Sequence, residues 1–470
     1  MSERYLQPTS IVIFGGTGNL AETKLLPALF HLYKQQMLPP QFVIIGLARR
    51  ELTHETYQQF VRDTLLAKLP DSDETVLANF CEHIRFASGT FVADESYEQI
   101  KNELTAFDTS IGKCTSKLFY LAVPPNLYSE IFAKLKSSDA MALCNGHDSW
   151  SRILVEKPFG SDLVTAQALE EQLGQLFTED QIYRIDHYLA KESIENIMSL
   201  RFANSILADS WNGTRIESIN LTLFETNDVA TRGSFYDQIG TLRDVGQNHM
   251  LQMLALLTMA PVDVHSAEFV RASRLAATKS LVMHDTDVRV RAQYRGYQET
   301  PGVTEGSETE TYFKIGTHID STLWQNVAVT LESGKAMAES FADAVITFRP
   351  IDVCHCGSES GPHYHRNVLR MKFSPDENIV LSMWVKEPGF GFVLHERKLV
   401  LASYEGERYR SPEAYERVLY DCIVGDQTRF VSGPEVVAAW KFITPILESF
   451  KNLPLYEYEK GSHVPFSTNE

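Results

Sequence analysis

Short apolar runs alternate with helical patterns along the first third of the chain. One run at 11–14 ends at a pair of glycines, a second covers 42–46, and two more within 117–125 and 152–160 end in proline or glycine loops. Apolar runs without polar alternation, separated by helical patterns, are typical of a parallel sheet covered on both faces. The pattern therefore predicts an α/β domain with a parallel sheet over residues 1–180.

The pattern changes beyond this first domain. Polar and apolar residues alternate at 218–223 and in part of 326–334, which indicates half-exposed strands and a largely antiparallel sheet. Residues 243–258 are apolar at helical spacing towards the end of the stretch, which predicts a helix. We therefore expect a larger α+β domain with a mainly antiparallel sheet over residues 181–470.

Composition and charge exclude some classes of function. The chain has 470 residues, a hydrophobic content of 44% and a formal net charge of −18. A chain this acidic is a poor general binder of nucleic acids or membranes, because phosphate neutralisation requires clustered lysines and arginines. Six cysteines are too few for a disulfide framework, and the sequence has neither a signal-peptide pattern nor an apolar run of membrane-spanning length. We therefore expect a cytoplasmic protein.

A glycine-rich loop follows the first apolar run, where GGTGNLAETK opens a helical pattern. Gly15 and Gly18 would let the backbone turn tightly and approach a diphosphate at the helix N-terminus, as in Rossmann-type dinucleotide-binding domains. Asn19 and Leu20 belong to the same predicted cofactor loop. The spacing, which continues to Ala21, differs from the usual G-x-G-x-x-G pattern. A nucleotide site and a purely structural turn are both compatible with it.

An arginine pair ends the second apolar run. The sequence GLARR places Arg49 and Arg50 where a Rossmann domain meets the adenosine ribose. An acidic residue at this point favours NAD, whereas arginines suit the 2′-phosphate of NADP. Two solvated surface arginines are the alternative, since such pairs are common on exposed loops. We expect NADP as the cofactor, with NAD as a weaker acceptor.

The stretch YRIDHYLAKE (183–192) concentrates ionisable side chains, namely Asp186, His187, Tyr188 and Lys191. His187 and Lys191 are four residues apart and would share one face of a helix. A solvated helix start, a metal ligand set, an acid/base pair and an anion cradle are all compatible with this pattern.

Two further clusters supply candidates for acid/base chemistry. EKPFG places Lys157 at a predicted strand end, and RDVGQNH places Asp244 and His249 five apart at the start of a helix. A neutral imidazole, with a pKa near ~6.5, is a natural general base for an alcohol. It needs a carboxylate that holds its tautomer, as in a catalytic triad. Asp186 and Asp244 are both candidates for that carboxylate.

Six stretches together resemble the glucose-6-phosphate dehydrogenase family, in the same order and at similar spacing: GGTGNLAETKLLPALF, YLAVPP, VEKPFG, RIDHYLAKE, RGSFYDQIGTLRDVGQNHMLQ and SGK. The likeness runs from about residue 10 to about 450, and RIDHYLAKE is its most specific part. It implies an NADP-dependent oxidoreductase that converts D-glucose 6-phosphate to 6-phosphoglucono-1,5-lactone in the oxidative pentose phosphate pathway. It also implies a homodimer or homotetramer.

The same resemblance implies roles for individual residues. His249 corresponds to the base that takes the proton of the anomeric hydroxyl, and Asp186 to the carboxylate that pairs with it. His187, Tyr188 and Lys191 correspond to the cradle for the sugar phosphate. The other predicted substrate contacts are Lys24, Lys157, Glu225, Asp244 and Lys335. The predicted cofactor contacts are Gly15, Gly18, Asn19, Leu20, Arg49, Arg50 and Lys157.

The chain departs from the family pattern at three positions. Asn19 stands where the family usually has Asp, and Ala190 replaces a usual Gly. Ser340 matters more, because many members carry a second basic residue five positions after the lysine of SGK. We expect this change to remove one contact to the phosphate of glucose 6-phosphate.

The stretch CHCGSESGPHYH (354–365) has no counterpart that we recognise in the family. It contains Cys354, Cys356, His363 and His365, and His355 could replace one of them. Two sulfur and two nitrogen ligands suit tetrahedral zinc. A solvated, histidine-rich loop is the alternative. Hydride transfer does not require this metal, so we expect any zinc here to be structural.

Three functional hypotheses follow from the sequence. The first is a glucose-6-phosphate dehydrogenase with an intact base, carboxylate and phosphate cradle. The second is a related dehydrogenase of another sugar or sugar phosphate, which Ser340 favours. The third is a catalytically silent cofactor-binding or metal-sensing protein, which only the Cys/His stretch favours. The presence of His249 and Asp186 argues against the third.

Overall fold

The computed structural model describes residues 6–142, 149–262, 266–351, 365–402 and 411–463. The chain divides into two compact units. The first unit comprises Met1–Lys191, His265–Arg271 and Ser411–Val436, and the second comprises Glu192–Val264, Ala272–Arg410 and Val437–Glu470. No helix within the described ranges is long and apolar enough to cross a membrane. The domain boundary between residues 180 and 181 stays a prediction.

The strands are β1 (Thr9–Phe14), β2 (Phe42–Ala48), β3 (Ile84–Ser88), β4 (Ser116–Leu121), β5 (Ser151–Glu156), β6 (Ile182–Ile185), β7 (Ile216–Phe224), β8 (Leu281–Val282), β9 (Arg289–Tyr294), β10 (Tyr312–Ile319), β11 (Ala328–Gly334), β12 (Phe341–Phe348), β13 (Val368–Ser374), β14 (Asn378–Lys386), β15 (Leu394–Ala402), β16 (Phe430–Val431) and β17 (Leu455–Tyr458).

The α-helices are α1 (Leu26–Lys34), α2 (His54–Lys68), α3 (Glu74–Cys81), α4 (Asp94–Ile111), α5 (Tyr128–Ser137), α6 (Leu163–Leu176), α7 (Glu192–Phe202), α8 (Ser205–Ala208), α9 (Gly233–Tyr236), α10 (Leu251–Thr258), α11 (Ala267–Lys279), α12 (Ala414–Val424) and α13 (Gly433–Phe450). Two segments, Ala21–Leu25 and Leu242–Met250, are π-helical. Short 3₁₀ turns cover Pro125–Leu127, Glu179–Gln181, Ala230–Arg232 and Thr322–Trp324.

The first unit contains a seven-stranded sheet in the order β16-β6-β5-β4-β1-β2-β3. All neighbouring pairs are parallel except β16 with β6. Every residue of β1, β2 and β4 is buried, as the unbroken apolar runs predicted. The order 3-2-1-4-5-6 is that of a Rossmann fold, which binds ligands where the strand order reverses beside β1. The prediction of a Rossmann-type domain is confirmed.

The second unit contains a ten-stranded sheet in the order β15-β14-β13-β12-β7-β11-β10-β9-β17, with β8 pairing with β10. The pairs β7 with β11 and β9 with β17 are parallel, and the others are antiparallel. The predicted α+β class with a mainly antiparallel sheet is therefore confirmed.

The helix predicted at 243–258 has two parts in the structure. Leu242–Met250 is π-helical, and α10 continues from it as an ordinary α-helix. A Cβ atom at Gly246 would lie 3.0 Å from the ring of Phe313, so this helix packs tightly against β10. The amide of Leu242 donates to the buried carboxyl of Glu310 at 3.0 Å, which fixes the start of the segment.

Candidate active site

The glycine loop at the end of β1 is shaped by contacts that exclude side chains. Gly15 has φ of +88°, and a Cβ atom there would lie 2.4 Å from the carbonyl oxygen of Ala122. The amide of Gly18 donates to the Gly15 carbonyl at 2.9 Å, which closes the turn. Such a loop at a Rossmann switch point provides the close backbone approach that a diphosphate needs. The residues present therefore fit a dinucleotide.

The other predicted residues of this loop lie just beyond the turn. Asn19 is exposed, and its carbonyl accepts from the hydroxyl of Thr23 at 2.6 Å. Leu20 is partly buried and directly precedes the π-helical segment Ala21–Leu25. Lys24 lies within that segment, where its ammonium is 3.7 Å from the carboxylate of Glu413 in a solvent-exposed ion pair. An exposed pair of this kind holds a lysine only weakly.

The arginine pair lies at the same edge of the sheet. β1 and β2 are parallel with Phe14 opposite Leu47, so the chain leaves both strands side by side. Arg49 and Arg50 follow β2 and are both exposed. The guanidinium of Arg50 lies 5.9 Å from the ring of Phe60. Both arginines are thus available to an anion near the glycine loop.

The end of β5 carries a carboxyl that no motif singled out. The hydroxyl of Tyr120 donates to Glu156 at 2.5 Å, and Tyr415 also bonds this carboxyl. Burial raises the pKa of Glu156, while the bonds from the two phenols and the charge of neighbouring Lys157 oppose the rise. Glu156 stands in the EKPFG stretch, but an acidic residue at a strand end is too common to be noticed without its phenolic partners.

The 186–191 stretch forms tight turns between β6 and α7 rather than a helix. The amide of Tyr188 donates to the Asp186 carboxylate at 3.0 Å, and the amide of Lys191 donates to the Tyr188 carbonyl at 3.0 Å. The rings of His187 and Tyr188 are 5.0 Å apart, and the Lys191 ammonium lies 4.0 Å from the Tyr188 ring centre. The turns, and not a shared helix face, bring His187, Tyr188 and Lys191 together.

The second unit gathers charges around Lys335, which is only 3% exposed. Parallel pairing of β7 and β11 sets Phe224 opposite Gly334, so Glu225 and Lys335 leave neighbouring strands together. The Lys335 ammonium contacts the Glu225 carboxylate and lies 3.4 Å from the Asp244 carboxylate. It also lies 5.3 Å from the centre of the Tyr236 ring. We call Lys335, Glu225 and Asp244 the lysine cluster.

Helix geometry determines where Asp244 and His249 point. Residues five apart on an α-helix point about 140° apart. In a π-helix the backbone hydrogen bonds join residues i and i+5, which brings side chains five apart to nearly the same face. Asp244 and His249 both lie in the π-helical segment Leu242–Met250, and His249 is buried. The sequence spacing alone predicted an ordinary helix, in which these side chains would point apart.

Ser340 stands where many members of the resembled family carry a second basic residue. Its hydroxyl accepts from the amide of Thr226 at 2.7 Å and lies 2.9 Å from the Thr226 hydroxyl. Ser340 thus fixes the residue after Glu225 and contributes no positive charge.

The predicted zinc ligands Cys354, Cys356 and His363 lie outside the described residues, as does His355. His365 is described, and its ring lies 4.3 Å from that of Trp384.

These arrangements can support several chemical tasks. The first unit offers a diphosphate loop, exposed arginines and a cationic and aromatic trio that suits a phosphate. The second offers a buried ammonium with two carboxylates, and a buried histidine one π-helical turn from Asp244. A polyhydroxylated substrate needs such paired donors and acceptors.

Two protein-family models together match the chain over all the residues described above as candidate site residues. Residues 12–196 match the family model "Glucose-6-phosphate dehydrogenase, NAD binding domain". Residues 198–470 match "Glucose-6-phosphate dehydrogenase, C-terminal domain". The first match supports a nicotinamide dinucleotide as the cofactor.

Individual relatives agree with the family models. The chain is 35% identical to a glucose-6-phosphate 1-dehydrogenase of Chlamydia pneumoniae, over 96% of this chain and 93% of the relative. It is 35% identical to the cytoplasmic glucose-6-phosphate 1-dehydrogenase 6 of Arabidopsis thaliana, over 97% of this chain and 89% of the relative. A solved glucose-6-phosphate dehydrogenase in complex with glucose 6-phosphate matches at 32% identity with a TM-score of 0.89, covering 99% of this chain and 97% of that one. The chain belongs to the glucose-6-phosphate dehydrogenase family.

Proposed function

We propose that the chain oxidises D-glucose 6-phosphate at C1 to 6-phosphoglucono-1,5-lactone and passes the hydride to NADP. The observation that carries this proposal is the lysine cluster, in which a buried ammonium lies against two carboxylates. Such a cluster offers the hydroxyl groups of a sugar both donors and acceptors. The solved relative that contains glucose 6-phosphate as its substrate supports the choice of sugar.

His249 acts as the general base in this proposal. Its imidazole takes the proton of the C1 hydroxyl while the C1–H bond breaks with its electron pair and the C1–O bond becomes a carbonyl. Asp186 stabilises the imidazolium that forms, as a carboxylate does in a triad. A bound nicotinamide supplies the acceptor for the hydride. Asp244 is assigned to the sugar hydroxyls, because Lys335 already engages its carboxylate.

The phosphate of the substrate is assigned to His187, Tyr188 and Lys191. Their tight turns put an ammonium, an imidazole and a phenol close together. Each charge-assisted hydrogen bond to a phosphate is worth roughly 1.5–3 kcal/mol. Lys157 is assigned to both substrate and cofactor, and Lys24 to the substrate once its weak pair with Glu413 opens.

NADP rather than NAD is proposed as the preferred cofactor. Arg49 and Arg50 are exposed at the end of β2, beside the glycine loop. Guanidinium groups at this place suit the 2′-phosphate, whereas an acidic residue would suit a free ribose hydroxyl. Gly15, Gly18, Asn19 and Leu20 are assigned to the diphosphate end of the same cofactor.

A related dehydrogenase of another sugar or sugar phosphate is the second candidate. Ser340 favours it, because its hydroxyl is engaged by Thr226 and adds no charge for a phosphate.

Structural zinc at the Cys/His stretch stays a separate prediction. Metal analysis of the purified protein tests it, and an absence of zinc would remove the metal-sensor hypothesis.

Self-association and location are further parts of the proposal. Among the described strands, β15 is an edge of the large sheet, and Leu399, Val400 and Leu401 are all exposed. Consecutive residues point to opposite faces, so this edge exposes apolar side chains on both faces, which suits edge pairing with a second copy. We infer a homodimer or homotetramer in the cytoplasm, in line with the name of the Arabidopsis relative. Sedimentation of Val400→Lys, which should be monomeric, tests the assembly.

The proposed reaction is tested by His249→Asn, assayed for NADP reduction with glucose 6-phosphate and for the lactone product. Loss of a general base lowers kcat by about 10²–10⁴-fold. The Kd for NADP should not change, because His249 has no role in cofactor binding. His318→Asn is a matched control, since His318 also faces a carboxylate, Asp287, at 3.0 Å. Turnover retained by His249→Asn, or lost equally in both variants, would contradict the proposal.

A further inference from the structure

The loop that carries Lys335 has an unusual backbone. Ala336 directly follows Lys335 and has φ of +53°, a left-handed conformation that residues other than glycine rarely adopt. Its amide donates to the carbonyl of Asn227 at 3.0 Å, and the Met337 amide donates to the Glu225 carbonyl at 2.9 Å. The surroundings must hold this conformation, because it is unfavourable by itself.

A segment near the end of the chain holds the other side of this loop. The amide of Gly461 donates to the Ala336 carbonyl at 2.7 Å, and the Ala338 amide donates to the Ser462 carbonyl at 2.9 Å. The Lys460 ammonium pairs with the Asp228 carboxylate at 2.7 Å. We call residues 458–462 the terminal strap.

The contact of the strap with Lys335 itself is made by Tyr458. Its hydroxyl lies 2.7 Å from the Lys335 carbonyl oxygen, 3.1 Å from the Thr311 carbonyl oxygen and 3.0 Å from the hydroxyl of Thr311. A phenol has a single hydrogen to donate, and the shorter of its two carbonyl contacts is the one to Lys335, so it can donate there while accepting from the Thr311 hydroxyl. The amide of Lys335 is fixed separately, since it donates to the Thr311 carbonyl at 2.9 Å.

We propose that Tyr458 is a positioning residue for sugar-phosphate binding, which acts by holding the peptide of Lys335 so that its ammonium stays between Glu225 and Asp244. The proposal rests on the proposed function, in which the lysine cluster binds the sugar. The buried ammonium reaches its carboxylates only from a defined backbone position, and Tyr458 is 5% exposed and fixed among other rings. Freedom at this peptide would misplace the lysine without altering the cofactor loop.

Tyr458→Phe tests this, because it removes the hydroxyl and keeps the ring. Tyr297→Phe is the matched control. Tyr297 lies in the same buried aromatic cluster, but its hydroxyl donates to Asp237 at 3.0 Å. We expect Tyr458→Phe to raise KM for glucose 6-phosphate about 3–10-fold, with kcat within about twofold and KM for NADP unchanged. Tyr297→Phe should lower Tm by about as much as Tyr458→Phe does, but it should leave KM for glucose 6-phosphate unchanged.

A second measurement separates positioning from general loosening. In a Lys335→Met background, Tyr458→Phe should no longer change kcat/KM, because the side chain that it positions is absent. An unchanged KM in Tyr458→Phe, or an equal effect in the Lys335→Met background, overturns the role of Tyr458 and leaves the proposed function intact. A wild type that does not oxidise glucose 6-phosphate overturns both.

Discussion

The glycine loop of the first unit and the lysine cluster of the second are built in opposite ways. The loop is formed by backbone and by missing side chains, since a Cβ at Gly15 would lie 2.4 Å from the Ala122 carbonyl oxygen. The cluster is formed by side chains from residues far apart in sequence, Glu225, Asp244 and Lys335, around one buried ammonium. The loop depends on local conformation, and the cluster depends on tertiary structure and charge balance.

This difference determines how each region should fail. A loop made of backbone tolerates changes in charge but not the addition of a methyl group. A cluster made of opposed charges tolerates small changes in shape but not the loss of its cation, because that loss removes the positive charge between its two carboxylates.

Lys335→Met should cause the largest loss of stability. Removing the ammonium leaves the Glu225 and Asp244 carboxylates facing each other, which costs about 2–3 kcal/mol of unfolding free energy. The cost stays below that of a fully buried pair because both carboxylates retain contact with solvent. KM for glucose 6-phosphate should also rise more than tenfold. Urea unfolding and initial rates measure the two effects.

A lysine on the adjacent strand provides the control. Lys314 is also buried and lies 3.5 Å from the carboxylate of Glu332. Lys314→Met should destabilise the protein without changing KM for the sugar. Equal changes in KM for the two variants would show that the lysine cluster has no special part in binding.

Gly15→Ala should destabilise the first unit by about 2 kcal/mol, from a left-handed φ and a clash with backbone. Gly112→Ala is a matched control, since Gly112 also has a positive φ, +76°, but nothing lies within 4 Å of its added Cβ. It should cost about 1 kcal/mol from φ alone. Only Gly15→Ala should weaken NADP binding, by at least about tenfold, as measured by fluorescence titration. Unchanged binding would favour the structural turn.

Arg49→Ala should raise KM for NADP about tenfold, equivalent to ~1.4 kcal/mol, and KM for NAD less than twofold. The reason is that only NADP carries the 2′-phosphate. Arg62→Ala removes another arginine from the same unit, one whose guanidinium pairs with Glu74 at 3.5 Å, and should leave both constants unchanged. Equal increases for NADP and NAD in Arg49→Ala would rule out the 2′-phosphate role.

Glu310→Gln should change how the free energy of unfolding depends on pH. Of the variants described here, it should have the smallest effect on activity. Burial raises the pKa of Glu310, although the Leu242 amide and the charges of Arg243 and Arg291 oppose the rise. A raised folded-state pKa means that the folded protein binds more protons than the unfolded chain above the ordinary pKa of Glu. The stabilisation is therefore present at low pH and is lost as pH rises through the folded-state pKa.

Glutamine cannot ionise, yet its amide oxygen still accepts from Leu242. The unfolding free energy of Glu310→Gln should therefore gain on that of the wild type between pH 5 and pH 8. Urea unfolding at both pH values measures this difference, and parallel pH profiles would contradict the assignment.

The contrast between the two regions also explains what the sequence could predict. The sheet of the first unit was predictable, because buried parallel strands leave unbroken apolar runs. The glycine loop was predictable because its determinants are consecutive residues. The roles of the residues in the motif 186–191 stay predictions, and its helical spacing misled, since residues 186–191 form tight turns and not a helix.

The rest depends on tertiary structure. Glu225 and Lys335 become neighbours only through the parallel register of β7 with β11. The π-helical winding of Leu242–Met250, which packs closely on Phe313 of β10 at Gly246, has no signature in the apolar spacing of the segment. The phenolic partners of Glu156 and the contact of Tyr458 with Lys335 come from residues that are distant in sequence and carry no motif.

We expect His187, Tyr188 and Lys191 to select a phosphorylated sugar although Ser340 supplies no charge. Initial rates of NADP reduction with glucose 6-phosphate and with free glucose test it most directly. We expect a kcat/KM at least ~100-fold higher for the phosphate ester, equivalent to about 2.7 kcal/mol. Comparable values for the two sugars, or no turnover with either, would contradict the claim and favour another substrate.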